Sequence, residues 1–175
     1  MPNFDDCTSS AASNSSDLPS WLTDLDASVA QPWIQAIQAA EIPGLGDGPA
    51  NRDLAELLKS DSAKSFTPLQ QSGLWLLAGD LDRSHTISQD ESSSEGSFWH
   101  GIMHRREGDF GNAKYWFHRV GRHSILSDLS GMYPELHSDA DEFVDRVANA
   151  VRTGDDVEAC QQVQWTEWQW LMNVS

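Results

Sequence analysis

The sequence has few basic residues, and it contains no long apolar run. Of its 175 residues, 11 are Lys or Arg and 27 are Asp or Glu, which gives a formal net charge of −16. Nucleic acids and anionic membranes are bound by clustered Lys and Arg, so this balance argues against both as extended partners. No run of about 18 apolar residues is present, so we expect no membrane-spanning helix.

Cysteine is equally scarce. Cys7 and Cys160 are 153 residues apart, which is the pattern of neither a disulfide framework nor a metal-binding Cys-x-x-Cys pair. Residues 1–20 contain six serines and three acids, and they lack the apolar segment of a secretory signal. We therefore expect a cytoplasmic protein with reduced thiols.

Several catalytic signatures are also missing. The chain has no G-x-x-x-x-G-K-[ST] loop, no G-x-G-x-x-G turn and no G-x-S-x-G elbow. These absences argue against a P-loop nucleotidase, a dinucleotide-binding domain and a serine hydrolase of the elbow type.

The patterns that are present indicate helices. Apolar residues recur three and four positions apart, and no segment alternates as a strand does. Thr67 followed by Pro68 predicts a helix over 68–78, and Gly-Asp pairs at 79 and 108 predict turns between helices. Ser97 is the expected N-cap of a helix over 98–107, and we expect residues 124–138 to be a looser stretch. We expect residues 1–19 to form a disordered acidic and Ser-rich tail. We expect residues 20–175 to form a single all-α domain, with about seven or eight helices in antiparallel hairpins.

The chemically versatile residues are concentrated in one stretch. All six histidines lie between positions 85 and 137. Residues 97–123 hold five bases and two acids, a local charge of +3 that leaves −19 for the rest of the chain. One interpretation is a pocket for a small anion, because Arg presents a planar fork of donors to carboxylate or phosphate. The alternative is that these bases pair with acids across helix surfaces.

His100, His104 and Glu107 are spaced as i, i+4 and i+7, so they share one face of a helix. Two imidazoles one turn apart can bind a divalent metal such as zinc or iron, with Glu107 as ligand, base or orienting acceptor. Without a metal, the three residues can act as general acid and base. We therefore treat them as candidate catalytic residues. The alternative is a hydrogen-bonded polar seam between helices.

His85 follows the first Gly-Asp turn. If the hairpins stack, it can complete a three-histidine metal site, His85, His100 and His104, that is open to water. The alternative places His85 on a solvated helix face. The candidate ligand-binding residues of the same region are His85, Arg105, Arg106, Lys114, Tyr115 and His118.

Three tryptophans near the end of the chain, Trp165, Trp168 and Trp170, cannot all face the same way on a helix. We expect the terminal helix to pack on the core. The alternative is a protein partner or a homodimer contact, because Trp is enriched at binding hot spots.

Residues 84–123 contain the strings S-H-x-I-S-Q and W-H-x-I-M-H-R-R-E. This stretch resembles a group of uncharacterised bacterial proteins for which we know no established activity, so the resemblance implies no catalytic role. The two Gly-Asp turns with their flanking helices also resemble the helix-turn-helix unit of tetratricopeptide repeats, although their offset of 29 residues differs from the repeat of about 34.

Two functions are consistent with these features. The first is a ligand-binding or enzymatic helical domain whose His/Arg/Glu pocket takes a small anionic molecule, with or without a metal. The second is a helical-repeat-like protein interaction module without catalytic activity. The first requires the named side chains to converge in one place.

Overall fold

The computed structural model describes residues 19–23, 25–48 and 50–175. The expected disordered tail therefore lies outside the described residues, except for its last position. The described chain forms ten α-helices and one 3₁₀ helix, at Asp61–Ser65. The α-helices are α1 (Ser20–Thr23), α2 (Ala27–Gln38), α3 (Arg52–Lys59), α4 (Pro68–Ala78), α5 (Leu81–Ser88), α6 (Ser94–Glu107), α7 (Phe110–Val120), α8 (Ser124–Met132), α9 (Ala140–Thr153) and α10 (Val157–Val174).

The all-α prediction is confirmed, and no strand occurs in the described ranges. The expected number of seven or eight helices falls short of the ten observed. One helix that the sequence did not predict is α8, in a stretch expected to be looser, where Ile125 and Leu129 are one turn apart and both buried. Among all the residues that the structure describes, no helix is long and apolar enough to cross a membrane.

Local interactions explain why α4 forms where the sequence predicts it. The Thr67 hydroxyl accepts the Gln70 backbone N–H, and the Gln70 side chain accepts the Thr67 N–H, both at 3.1 Å. This capping box satisfies two N–H groups that the helix itself leaves unpaired. The helix ends at Gly79, whose φ of 81° suits glycine, and Gly108 ends α6 in the same way at φ 86°.

The start of α6 differs from the prediction, which placed the N-cap at Ser97. Ser93 is the cap: its hydroxyl accepts the Gly96 N–H at 3.0 Å. Ser97 lies inside the helix and donates to the Ser93 carbonyl. The neighbouring Ser94 donates to the carbonyl of Val120 at 2.8 Å, a tertiary contact that the local sequence does not reveal.

The central element of the fold is α6. Every residue from Gly96 to Arg106 is buried, and the helix contacts α4, α5, α7 and α9. Most buried helices are apolar all round, but this one buries His100, His104, Arg105 and Arg106. Ionisable side chains are rarely buried without partners, so each of these four requires an explanation.

Candidate metal centre

Three histidines from two helices converge at one side of α6. His85 comes from α5, and His100 and His104 come from successive turns of α6. The ring centroid of His85 lies 4.6 Å from that of His100 and 5.4 Å from that of His104, and the two α6 rings are 4.8 Å apart. One potential ligand nitrogen from each ring lies within 4.8 Å of the other two. His100 and His104 are buried, and His85 is half-buried.

Hydrogen bonds orient the two rings on α6. The Nδ1 atom of His104 lies 3.0 Å from a carboxylate oxygen of Glu107. The Nδ1 atom of His100 lies 3.3 Å from the Ser88 hydroxyl, which itself donates to the His85 carbonyl. The Glu107 carboxylate can only accept a hydrogen bond, and the Ser88 hydroxyl already donates its proton to the His85 carbonyl. Both groups therefore need a donor, which is an N–H group at Nδ1 of each ring. The tautomer that follows leaves the lone pair of each ring on Nε2.

The α6 histidines are neutral near pH 7. Burial and the nearby imidazoles of His104 and His85 lower the pKa of His100 to about 4. Burial also lowers the pKa of His104, against the opposing hydrogen bond and charge of Glu107. Neutral imidazole is the form of histidine that binds metals, so the environment keeps both rings ready as ligands.

Two residues of α7 cover the cluster. The Trp116 ring stacks on His100, with centroids 3.9 Å apart and planes 23° apart. The side-chain nitrogen Nδ2 of Asn112 lies 3.0 Å from Nε2 of His104. Sequence reasoning missed Asn112, which is eight residues from His104 and beyond a turn. It also missed Ser88, although that serine is part of the S-H-x-I-S-Q string.

The structure does not place the arginines of α6 with the histidines. Arg105 is fully buried, and its guanidinium pairs with Glu167 of α10 through two contacts, one of them 3.3 Å long. Arg106 donates to the carbonyls of Leu76 and Gly46, and burial lowers its pKa to about 10. The Glu167 carboxylate thus takes the place of the anion that Arg105 was expected to bind. The charge of a buried guanidinium needs such an internal partner.

The other expected ligand-binding residues lie on the outer side of α7. Lys114 pairs with Asp145 of α9 at 2.7 Å, and His118 lies 3.2 Å from Asp141. Tyr115 is 54% exposed. The contacts of Lys114 and His118 are those of the alternative in which the bases meet acids across helix surfaces, because both partners belong to α9.

Concave surfaces occur elsewhere in the molecule. A cleft of about 730 Å³ is lined by His118, Arg122 and His123 among others, and one of about 370 Å³ has Arg106 in its wall. Neither cleft includes a member of the three-histidine cluster. His100 and His104 are buried between helices, so the histidines form a compact cluster.

The C-terminal tryptophans are mostly part of the core. Trp168 is buried and donates to the Gly73 carbonyl at 2.8 Å. Trp165 stacks on Trp168 with planes 8° apart, and Trp165 and Trp170 are both half-buried. Much of the aromatic surface considered for a partner is thus covered by the chain itself.

No family model, curated protein or solved structure matches this chain. Its function is therefore inferred from the geometry of the site.

Proposed function

We propose that this helical protein binds one divalent transition metal ion through His85, His100 and His104. We further propose that the ion keeps a coordination position for water or a small anion. The observation that carries this proposal is the convergence of three imidazole nitrogens within 4.8 Å, with the Nδ1 atoms of both buried rings already occupied.

The donor set suits zinc, which open sites of three histidines and a water can hold. Imidazole binds zinc, copper, iron and nickel, and no carboxylate belongs to the three-residue cluster. Zinc–nitrogen bonds of about 2.0–2.1 Å place ligands of one tetrahedral ion about 3.3 Å apart. The present separations of up to 4.8 Å would close by side-chain rotation, without movement of the helices. Three neutral ligands do not reduce the charge of the ion. Its full charge would therefore act on a water bound as the fourth ligand and lower the pKa of that water.

Glu107 has a positioning role in this proposal. It lies one turn after His104 and is 53% exposed, and its carboxylate accepts from Nδ1 of that ring. Carboxylate–histidine pairs of this kind fix the ring orientation and increase the basicity of the nitrogen that binds the metal.

The competing interpretation is a polar seam that needs no metal. In the described part of the chain, no hydrogen bond reaches Nε2 of His100 or either ring nitrogen of His85. A seam would pair these atoms with protein groups. They are not among the fully buried unpaired atoms of the described residues, so they remain accessible to water or to a ligand. A cation between the rings satisfies the same lone pairs.

The arrangement of the helices completes the proposal. We propose that α4 with α5, and α6 with α7, form two antiparallel hairpins. Each pair is joined by a Gly-Asp turn, and the two members of each pair are in contact. Stacking of these hairpins is what would bring His85 to the α6 face.

Metal content and zinc titration test the proposed function. We expect about one zinc per chain by elemental analysis, and a saturable heat on titration of the metal-free protein. Because His85 is half-buried, His85→Ala should fold normally and weaken zinc binding by about 100-fold or more. Glu107→Gln should weaken it by about 10- to 100-fold.

The matched control is His118→Ala, since His118 is 72% exposed and pairs with Asp141 outside the cluster. It should bind zinc as the wild type does. A folded wild-type protein that takes up no zinc, cobalt or nickel would contradict the proposal, as would equal zinc affinity in the His85 and His118 variants.

A further inference from the structure

The side-chain amide of Asn112 is hydrogen-bonded to the ring nitrogen of His104 that would bind a metal. Its Nδ2 atom lies 3.0 Å from Nε2 of that ring. Because Glu107 accepts from Nδ1, the Nε2 atom has a lone pair and requires a donor. The side-chain N–H group of Asn112 is that donor.

A hydrogen bond holds the backbone of Asn112 in place, whereas its side-chain amide can rotate. The Asn112 backbone N–H donates to the side chain of Asp109, the N-cap of α7, at 3.0 Å. The side chain is half-buried and has two rotatable bonds. When a metal takes the lone pair of His104, the Asn112 N–H group loses its acceptor and needs another.

The side-chain amide must move aside to admit a metal, because it now lies on the lone pair of His104 that the metal would take. Atoms bound to one tetrahedral ion lie about 3.3 Å apart, given metal–nitrogen bonds of about 2.0–2.1 Å. An oxygen bound to the ion would thus lie about as far from Nε2 of His104 as the Asn112 nitrogen does now, at 3.0 Å, so the displaced amide stays within reach of that oxygen. A small rotation would turn its N–H group toward an oxygen bound to the ion.

We propose that Asn112 donates a hydrogen bond to a small monoanion, such as a short carboxylate, that binds the metal as its fourth ligand. This inference rests on the proposed metal site and names the class of molecule that the site takes. Asn112 is a donor to the anion in this arrangement, and it is not a metal ligand.

The charges around the site favour a single negative charge on the ligand. The Glu107 carboxylate lies 3.0 Å from Nδ1 of His104, and the Asp109 carboxylate accepts the Asn112 backbone N–H at 3.0 Å. Two carboxylates thus lie beside an ion of charge +2. The two carboxylates offset the charge of the ion, so the site has no net positive charge that would favour a dianion. Removing a dianion from water costs more than removing a monoanion, so acetate should bind better than sulfate.

Cobalt substitution makes both binding steps visible in the full chain. Co²⁺ would be titrated into the metal-free protein to obtain its affinity from the visible absorption. Sodium acetate would then be titrated into the cobalt form, with sodium sulfate as the comparison. The variants are Asn112→Ala and Asn112→Asp. The control is Asn149→Ala, which alters an exposed asparagine of α9 that accepts from Arg152.

We expect Asn112→Ala to bind Co²⁺ at least as tightly as the wild type, because its amide no longer competes for His104. Acetate affinity should fall by about 10- to 100-fold, the effect of losing one hydrogen bond to a charged group. Asn112→Asp should lose acetate binding as well, because a carboxylate offers no donor. Asn149→Ala should leave both affinities unchanged.

The outcomes separate this inference from the proposed function. If the wild type binds no cobalt, the metal site itself is wrong. If cobalt binds but acetate does not, or acetate binds equally to the wild type and Asn112→Ala, the metal site stands and the role of Asn112 is refuted. If Asn112→Ala binds Co²⁺ more weakly, Asn112 is a ligand of the metal, which also overturns the inference.

Discussion

Replacing Glu167 by Gln should destabilise the protein severely without changing its affinity for zinc. Glu167 is fully buried and pairs with Arg105, which is 1% exposed. The guanidinium also contacts Gln164, at 3.3 Å, and the faces of Phe143 and Phe117, at 4.7 Å and 5.6 Å. In the part of the chain that the structure describes, its Nε atom has no hydrogen-bond partner. The substitution preserves the shape of the side chain and leaves one positive charge without its counter-charge.

The size of the effect follows from the burial of both partners. Removal of one member of a buried ion pair costs about 3–5 kcal/mol, because the other charge stays desolvated and unpaired. The total stability of a domain is about 5–15 kcal/mol, so the loss is a large fraction of it. For a chain of this size it corresponds to a decrease of about 6–20 °C in Tm.

Urea and thermal unfolding, followed by tryptophan fluorescence, would measure this cost. The matched control is Glu56→Gln, which removes the carboxylate that lies 2.8 Å from Lys59 on an exposed helix surface, and it should have little effect. The double variant Arg105→Met/Glu167→Leu should be more stable than Glu167→Gln, because no unpaired charge remains in it.

The same experiment decides the role of Arg105. If Glu167→Gln is no less stable than Glu56→Gln, the pair is not holding the helices together and the reasoning is refuted. If it weakens zinc binding while remaining folded, Arg105 and Glu167 belong to the functional site after all.

Two further predictions concern stability. Gly73→Ala should cost about 1–3 kcal/mol in urea unfolding, because the new Cβ would lie 2.5 Å from the sulfur of Met172. The control Gly131→Ala, in α8 with nothing within 4 Å of its Cβ, should stabilise by about 0.5–1 kcal/mol. His137 is fully buried, and burial lowers its pKa below 6.5 although the charge of Glu167 opposes this. The unfolded chain therefore binds a proton that the folded chain excludes, and stability should decline as pH falls below 6.5. His137→Gln should show a smaller decline over the same range, and an identical decline would contradict the assignment.

The helices that the sequence predicted well are those with strong local signals. The predicted helix 68–78 is α4 as observed, because Thr67, Pro68 and Gly79 act within a few residues of one another. The start of α6 was misplaced because several serines precede it, and each can cap a helix. The serine that caps α6 is Ser93. The next residue, Ser94, donates a hydrogen bond to the Val120 carbonyl, 26 residues away, and the local sequence does not reveal that contact.

In the candidate site, too, local spacing was predictable from the sequence and distant contacts were not. The spacing of His100, His104 and Glu107 predicts one helix face, and the hydrogen bond from His104 to Glu107 follows from that spacing. The partner of Arg105 is 62 residues further on, at Glu167. A local charge of +3 indicates that bases are present, and it contains no information about which acids they meet.

The sequence by itself determined the all-α character of this protein and the face on which two histidines and a glutamate stand. Helix formation and helix faces depend on hydrogen bonds and spacings within about four residues, which are written in order along the chain. Only the tertiary structure decided that His85 joins this face, that Asn112 reaches His104 and that Arg105 turns to Glu167. Those contacts depend on which helix surfaces pack together, and packing is set by the whole core.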